Sequence, residues 1–207
     1  MKKILVLAPH TDDGEFGCGG TINKLVEEGN DVYYVAFSPC KQSVLSKFPP
    51  DILITEVKAA IKELGVKPEN LKLLDYDVRT FNYKRQEILD DIIKLRTEIN
   101  PDMVFIPALT DIHQDHKTVA EEALRAFKFT TILSYEMPWN NISFETSCFF
   151  KLSRANLDAK IKALEKYESQ AHRPYAQSHF IESLATVRGV QINASYAETF
   201  EVIRWIN

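Results

Sequence analysis

The sequence predicts an α/β fold, a three-layer sandwich in which helices cover both faces of a mostly parallel sheet. Short apolar runs typical of buried strands alternate with apolar residues at helical spacing along the chain. Residues 4–7 form the first run, and the stripe of Ile22, Leu25 and Val26 follows it. Gly29 is placed to end this first helix. Alternation of this kind indicates parallel strands joined by helical crossovers, a Rossmann-like arrangement.

The remaining elements are predicted from the same two patterns. Further strands are expected at residues 32–37, 71–74, 103–106, 131–135 and 147–152. Further helices are expected from stripes that begin at Ile54, Ile88, Ala120 and Leu157, and at residues 180–187. Residues 196–205 are expected to end the chain as a strand or an extended edge. The part after the fifth strand is therefore a mixed extension of the parallel sheet.

The composition fits one globular domain over residues 1–207, of which 45% are hydrophobic and 26% charged. The net charge is -4 and no basic block occurs, which argues against nucleic acid as a partner. The cysteines Cys18, Cys40 and Cys148 form no CxxC pair, which fits a reducing compartment. No run approaches the ~20 apolar residues of a membrane span, and the apolar start is too short for a signal peptide. A cytoplasmic protein without membrane contact is expected.

The first strand leads into a loop that carries one imidazole and two adjacent carboxylates, His10, Asp12 and Asp13. In an open α/β sheet this loop lies at the carboxyl end of the strand, where ligands bind. A divalent metal such as zinc accepts imidazole and carboxylate together, and its charge removes the repulsion between paired carboxylates. One carboxylate could then bind the metal while the other stays basic. A solvated turn with a helix cap is the alternative for so short a pattern.

A second polar cluster, residues 111–116 (DIHQDH), supports the hypothesis of a metal site. It follows the apolar run at 103–106 and precedes the helix that contains Ala120. Two such loops on neighbouring parallel strands face each other across one crevice. Together they offer a His, Asp, His set that leaves one zinc position open for water.

The glycines at positions 17, 19 and 20 also raise the question of nucleotide binding. A G-x-G-x-x-G pattern that starts at Gly17 requires glycine at position 22, which is Ile22, and no P-loop pattern occurs. The glycines more simply allow the first helix to approach the metal and its neighbouring strand closely.

Three stretches of the chain resemble the motifs of the PIG-L/LmbE-like zinc-dependent N-acetylglucosamine deacetylases. Residues 9–21 (PHTDDGEFGCGGT) resemble the first motif, residues 111–116 the second, and residues 196–200 (YAETF) the closing one. The acidic residue of the first motif is Glu15, preceded by Gly14. That position is similar to the branch of bacillithiol-pathway and chitooligosaccharide-type deacetylases.

The resemblance implies a role for each residue of the two loops. His10, Asp13 and His116 would bind Zn²⁺, or another divalent metal such as Fe²⁺ or Co²⁺. Asp12 would be the general base that activates water, and His113 the general acid and oxyanion stabiliser. Asp115 is predicted to orient His113 and to raise its pKa.

The substrate implied is a small N-acetylated sugar conjugate, cleaved to acetate and a free amine. Asp77, Arg79 and Glu15 are predicted substrate contacts, although Arg79 could instead pair with Asp77. Trp139 could stack on a sugar or pack in the ordinary way. Family members also suggest a homo-oligomer, a trimer or hexamer. The alternatives are another metal-dependent amidase or phosphoesterase, or a non-catalytic sugar- or nucleotide-binding domain.

Overall fold

The computed structural model describes residues 1–206. Its strands are β1 (Lys3–His10), β2 (Asp31–Ser38), β3 (Leu71–Leu73), β4 (Met103–Pro107), β5 (Thr131–Tyr135), β6 (Cys148–Leu152) and β7 (Tyr196–Arg204). Its α-helices are α1 (Asp13–Glu27), α2 (Ile52–Glu63), α3 (Arg85–Ile99), α4 (Gln114–Ala126), α5 (Arg154–Glu165) and α6 (Ser178–Val190). Each predicted strand and helix is present, and most ends differ from the predicted ones by a few residues.

The strands form one seven-stranded sheet in the order β3-β2-β1-β4-β5-β7-β6. Strands β1 to β5 pair in parallel, whereas β7 is antiparallel to both β5 and β6. The predicted α/β fold with a mostly parallel sheet and a mixed C-terminal part is therefore confirmed. Residues 196–205 were expected as a strand or an extended edge, and the strand is present as β7. It lies inside the sheet, and β6 forms the edge.

Two hydrophobic cores lie on opposite faces of the sheet, as the three-layer prediction requires. Along β1, Ile4 and Val6 belong to the first core, while Leu5 and Leu7 belong to the second. Helices α1, α2, α5 and α6 cover the first face, and α3 and α4 cover the second. Burial on both faces explains why the parallel strands are continuous apolar runs. Within residues 1–206, no helix is long and apolar enough to cross a bilayer.

The sheet order reverses between β1 and β4, and this reversal creates the site. The chain leaves β1 through α1 on one face and leaves β4 through α4 on the other. Because β1 and β4 are parallel neighbours, the loops at their carboxyl ends diverge and leave a crevice between them. The first polar loop (residues 10–13) and the second (residues 111–116) border this crevice.

Glycines of α1 allow the helix to lie directly against side chains of the sheet. A Cβ placed on Gly17 would lie 2.3 Å from Cδ2 of Tyr135. Tyr135 cannot retreat easily, because it is fully buried and its hydroxyl donates to the Leu7 carbonyl at 3.0 Å. A Cβ on Gly14 would similarly lie 2.5 Å from the ring of Tyr34. The predicted close approach of the first helix to the neighbouring strands is confirmed.

We expect Gly17→Ala to destabilise the protein by about 1–3 kcal/mol, as overpacking of a filled core does. Gly19→Ala is the matched control on the same helix, since its added Cβ would meet only the side chain of Lys160, with Cγ nearest at 3.1 Å. Neither glycine has a positive φ, so backbone strain at the new alanine cannot explain a difference between the variants. Urea unfolding of both variants measures it. Equal stability of the two would contradict the packing argument.

Candidate metal centre

The two polar loops bring three donor atoms together at the sheet reversal. His10 ends β1, Asp13 begins α1, and His116 lies in the first turn of α4. His10 Nδ1 and His116 Nε2 each lie 3.1 Å from Asp13 Oδ2. The two imidazole nitrogens lie 3.2 Å from each other. All three side chains are buried.

This triangle of donor atoms fits one metal ion. Zn²⁺ holds nitrogen and oxygen ligands at ~2.0–2.1 Å in a tetrahedron, which separates two ligands by roughly 3.3 Å. The three separations here are within about 0.2 Å of that value. Three protein donors leave the fourth tetrahedral position for another ligand. The donor set and its spacing therefore suit a divalent metal with one open position.

Two further carboxylates hold the imidazole rings in the orientation that metal binding requires. His10 Nε2 donates to Asp115 Oδ2 at 3.0 Å, and His116 Nδ1 donates to Asp111 Oδ2 at 2.7 Å. Each bond fixes the proton on the outer nitrogen, so the inner nitrogen keeps its lone pair for a metal. Asp111 received no role from the sequence, although it begins the second polar cluster.

The prediction that Asp115 orients His113 is wrong in its partner. The Asp115 carboxylate contacts His10 and also accepts the backbone N–H of Arg79 at 2.6 Å. His113 precedes α4 and caps it: its Nδ1 accepts the backbone N–H of Asp115 at 3.2 Å. The helix begins between the two residues, so the imidazole folds over the first turn while the carboxylate points towards β1.

His113 flanks the triangle as a neutral ring. Its centroid lies 4.6 Å from that of His116 and 4.9 Å from that of His10. Burial, and then the charges of those two histidines, lower the pKa of His113 to about 4. Donor atoms of His10, His113 and His116 also fall within 4.8 Å of one another. That all-histidine set is looser than the set with Asp13, which we therefore favour.

Buried charges are balanced inside the triangle. Burial opposes ionisation of Asp13, but His116 and His10 outweigh it and hold the pKa of Asp13 well below its usual range. Burial likewise opposes protonation of His116, but Asp13 and Asp111 raise the pKa of His116 to about 10. A cation of the right size would replace the protons that these imidazoles otherwise hold.

Asp12 lies beside the triangle with a free carboxylate. Within residues 1–206 its side chain has no hydrogen-bond partner, and it does not cap α1 although it precedes that helix. Burial and the adjacent Asp13 raise the pKa of Asp12 to about 6. The structure thus brings Asp12 to the same cavity as the three donors without making it part of their triangle.

A family model described as "PIG-L: GlcNAc-PI de-N-acetylase" matches residues 5–127, which is more than half of the chain and includes both polar loops. The chain belongs to the PIG-L family. The predicted family is thereby confirmed, and its members include deacetylases that act on N-acetylglucosamine-type substrates.

Two curated relatives are deacetylases by name, and one solved structure shares the fold. The chain is 28% identical to the uncharacterized deacetylase YaiS of Escherichia coli K12, over 81% of this chain and 91% of YaiS. It is 27% identical to a probable N-acetyl-α-D-glucosaminyl L-malate deacetylase 2 of Bacillus cereus, over 60% of each chain. It superposes with a TM-score of 0.81 on N,N'-diacetylchitobiose deacetylase from Pyrococcus horikoshii in complex with an inhibitor. That alignment is 24% identical and covers 98% of this chain and 84% of the other.

In this PIG-L protein Glu15 is not a substrate contact, and the prediction for it is wrong. Its side chain is 0% exposed and lies beneath the first polar loop. Tyr34 and Tyr167 both donate to its carboxyl oxygens, and both hydroxyls also lie within 3 Å of the Thr11 carbonyl. Glu15 is buried because α1 turns its side chain into the core, and the two tyrosines then fix the loop that carries Asp12.

The protonation of Glu15 follows from counting hydrogens. Each tyrosine hydroxyl lies close to two oxygens, one of Glu15 and that of the Thr11 carbonyl, which makes four contacts for two hydroxyl protons. A proton on Glu15 supplies a third, so one contact more becomes a hydrogen bond. Burial raises the pKa of Glu15 to about 8, although the tyrosine bonds oppose this. In the unfolded chain a glutamate titrates near its ordinary value of about 4.3.

We expect folding stability to decline as pH rises from about 5 to 8, because the folded state keeps the Glu15 proton that the unfolded state has lost. This one group contributes a slope of about 1.4 kcal/mol per pH unit inside that window. Glu15→Gln removes the titration, so the stability of wild type minus that of the variant should fall across the window. Urea unfolding of both proteins in a chelator at pH 5 and pH 8 measures it. A difference that is independent of pH would contradict a protonated Glu15.

The cavity in front of the triangle has a volume of about 270 Å³ and an aromatic wall. Trp139 stacks on Tyr175 with ring centroids 4.1 Å apart and planes 7° apart, and Phe16 meets both rings edge-on. Trp139 therefore packs against protein and lines the cavity at once. Arg79 also lines the cavity, whereas Asp77 lies outside its lining and accepts a bond from Gln42.

The third motif contacts the backbone of α1, the helix that begins with Asp13. The backbone of α1 is non-helical at Cys18, which divides the helix. Glu198 of that motif accepts the N–H groups of Gly20 and Thr21 at 3.0 and 2.6 Å, at the start of the second half. Lys160 pairs with Glu198 and donates to a carbonyl of the first half, that of Phe16, at 2.6 Å. The glutamate thus acts as a helix cap, a role that the motif alone did not suggest.

Proposed function

We propose that this protein hydrolyses the N-acetyl group of a substrate that contains N-acetylglucosamine, releasing acetate and a free amine. The observation that carries the proposal is the triangle of His10, Asp13 and His116 with the free carboxylate of Asp12 beside it. The names of relatives support the substrate class, since they include a deacetylase of an N-acetylglucosaminyl malate.

A divalent metal held by these three residues, Zn²⁺, Fe²⁺ or Co²⁺, would polarise the acetyl carbonyl and lower the pKa of water. Asp12 would accept the proton of the attacking water. Its raised pKa suits a carboxylate that both takes and returns a proton. The same proton would then pass from Asp12 to the leaving amine. The second proton of the water would stay on the acetic acid and leave when it ionises to acetate.

His113 is better suited to stabilise the oxyanion than to protonate the amine. Because its Nδ1 accepts the N–H of Asp115, the neutral ring carries its proton on Nε2. Because His113 lines the cavity, that N–H can donate to a ligand bound there. A general acid would need the imidazolium, whose Nδ1–H would oppose the N–H of Asp115. Protonation of the amine by His113 therefore requires the ring to leave its capping position.

The experiment measures metal content and acetate release together. The purified protein is expected to contain about one metal ion per chain and to release acetate from N-acetylglucosaminyl malate or N,N'-diacetylchitobiose. A phosphoesterase would instead hydrolyse p-nitrophenyl phosphate, and a binding module would bind the sugar without releasing acetate. Either result, obtained with metal-loaded protein, would replace the deacetylase proposal.

A further inference from the structure

Two arginines face the cavity of the metal centre without a carboxylate partner. Arg79 and Arg173 both line it, and neither forms an ion pair within residues 1–206. The other charged groups in the lining are the carboxylates of Asp12 and Asp13 and the imidazoles of the triangle. A dication bound by the triangle would face Asp12 and Asp13, and Asp111 and Asp115 already bond the outer nitrogens of the imidazoles, so neither arginine has a carboxylate within ion-pair distance in the described part of the chain.

Arg173 is held in place by neutral groups. Its Nε donates to Gln170 Oε1 at 2.6 Å, its Nη1 donates to the Tyr175 hydroxyl, and its guanidinium lies 5.6 Å from the Tyr175 ring centroid. Tyr175 is itself fixed by the stack on Trp139. The side chain is thus ordered in advance by partners that carry no charge. Asp12 is not within ion-pair distance of it, although the charge of Arg173 opposes the rise that burial gives the pKa of Asp12. Preorganisation of this kind lowers the entropic cost of binding a ligand.

Arg79 approaches the same cavity from the segment after β3. Its backbone has a positive φ of 70° and is held there by the N–H bond to Asp115. Its guanidinium donates to the Ser43 hydroxyl at 2.8 Å, again a neutral partner. By contrast, Arg188, which lies behind Trp139, pairs with Glu136.

We propose that Arg173, with Arg79 as a second contact, binds an anionic group of the substrate, a carboxylate or phosphate attached to the N-acetylated sugar. The planar guanidinium can donate two parallel hydrogen bonds to either a carboxylate or a phosphate. Arginines without an ion-pair partner at a cavity are suited to bind such an anion. This inference rests on the proposed deacetylase function, because it assigns the substrate class of the same site. It makes both arginines specificity-determining residues.

The test compares ligands that differ in charge and little in size. Metal-loaded protein is titrated by calorimetry with glucosaminyl malate and with its dimethyl ester, two deacetylated compounds that the enzyme does not turn over. Glucosamine 1-phosphate and methyl glucosaminide form the phosphate pair. The anionic member of one pair should bind about 10- to 100-fold more tightly, as charge-assisted hydrogen bonds would give. The pair that shows the preference identifies the anion.

The variants separate the arginines from other sources of attraction. Arg173→Gln and Arg79→Gln should lose most of the preference, and Arg173→Lys should keep part of it because the charge remains. Lys128→Gln, beyond the far end of α4, removes one charge outside the cavity and should keep all of it. Metal content and circular dichroism check that each variant is folded.

Three results would overturn the inference. These are equal affinity for the members of both pairs, no binding of any of the four ligands, and a preference that survives in both glutamine variants. The last would mean that the anion binds the metal alone. Acetate release from the N-acetyl forms is measured separately. If the anion preference is present but no acetate appears, the deacetylase proposal fails and the anion site stands.

Discussion

His116→Ala is expected to remove the metal and the activity together. His116 supplies one of three donors, and its loss leaves His10 and Asp13 as a two-point site. Loss of a residue that only orients a ligand costs ~10–100-fold in metal affinity, so loss of the ligand itself should cost more than about 100-fold. Acetate release should fall to background, since water activation depends on the ion. Elemental analysis and titration against a competing chelator measure the first effect.

The control variants for His116→Ala distinguish a metal ligand from a residue that orients the ligand and from a histidine outside the site. Asp111→Asn keeps the ligand and loses the carboxylate that holds its outer nitrogen, so it should weaken the metal by ~10–100-fold only. His179→Ala removes an exposed histidine and should change nothing. If His116→Ala retained one metal ion per chain with unchanged affinity, the triangle would not be the metal centre.

The same measurement distinguishes the two possible ligand sets. If Asp13 is the third ligand, Asp13→Ala should lose the metal while His113→Ala keeps it. The all-histidine cluster predicts the reverse. The shorter separations around Asp13 Oδ2 lead us to expect the first outcome.

Local patterns predicted the elements because each depends on neighbours in sequence. The strand at Thr131–Tyr135 was predicted with its actual ends, and both polar loops were placed at strand ends. The order of β6 and β7 was not predicted, because alternation of apolar residues does not state which strand pairs with which. Long-range pairing decided that β7 is inserted between β5 and β6.

Errors within the site have a geometric origin. Sequence proximity suggested that Asp115 serves His113, but the start of α4 directs the carboxylate to His10, over a hundred residues away. Glu15 was predicted at the substrate as the acidic residue of the first motif, yet it lies two helical positions after Asp13, a rotation of about 200° that turns it into the core. Arg173 and Tyr175 received no role because they lie in an irregular segment, where no period indicates which side chains reach the cavity.

Asp12→Asn is expected to keep the metal and to lower turnover by ~10²–10⁴-fold, the usual contribution of a general base. Asparagine has nearly the same shape, and the carboxylate it replaces has no hydrogen-bond partner among residues 1–206, so the fold should not change. The predicted pattern is therefore opposite to that of His116→Ala: full metal content with most of the activity lost.

The pH profile gives Asp12→Asn a second readout. A base must be ionised to accept a proton, so kcat/KM of the wild type should fall as pH drops below the pKa of Asp12. That pKa is about 6 without a cation, and a bound dication would lower it further, so the acid limb should lie at or below pH 6. The residual activity of Asp12→Asn should lack this limb, provided that the metal stays bound. Unchanged turnover, or an acid limb that persists in the variant, would mean that water loses its proton without Asp12. The general base would then be another residue.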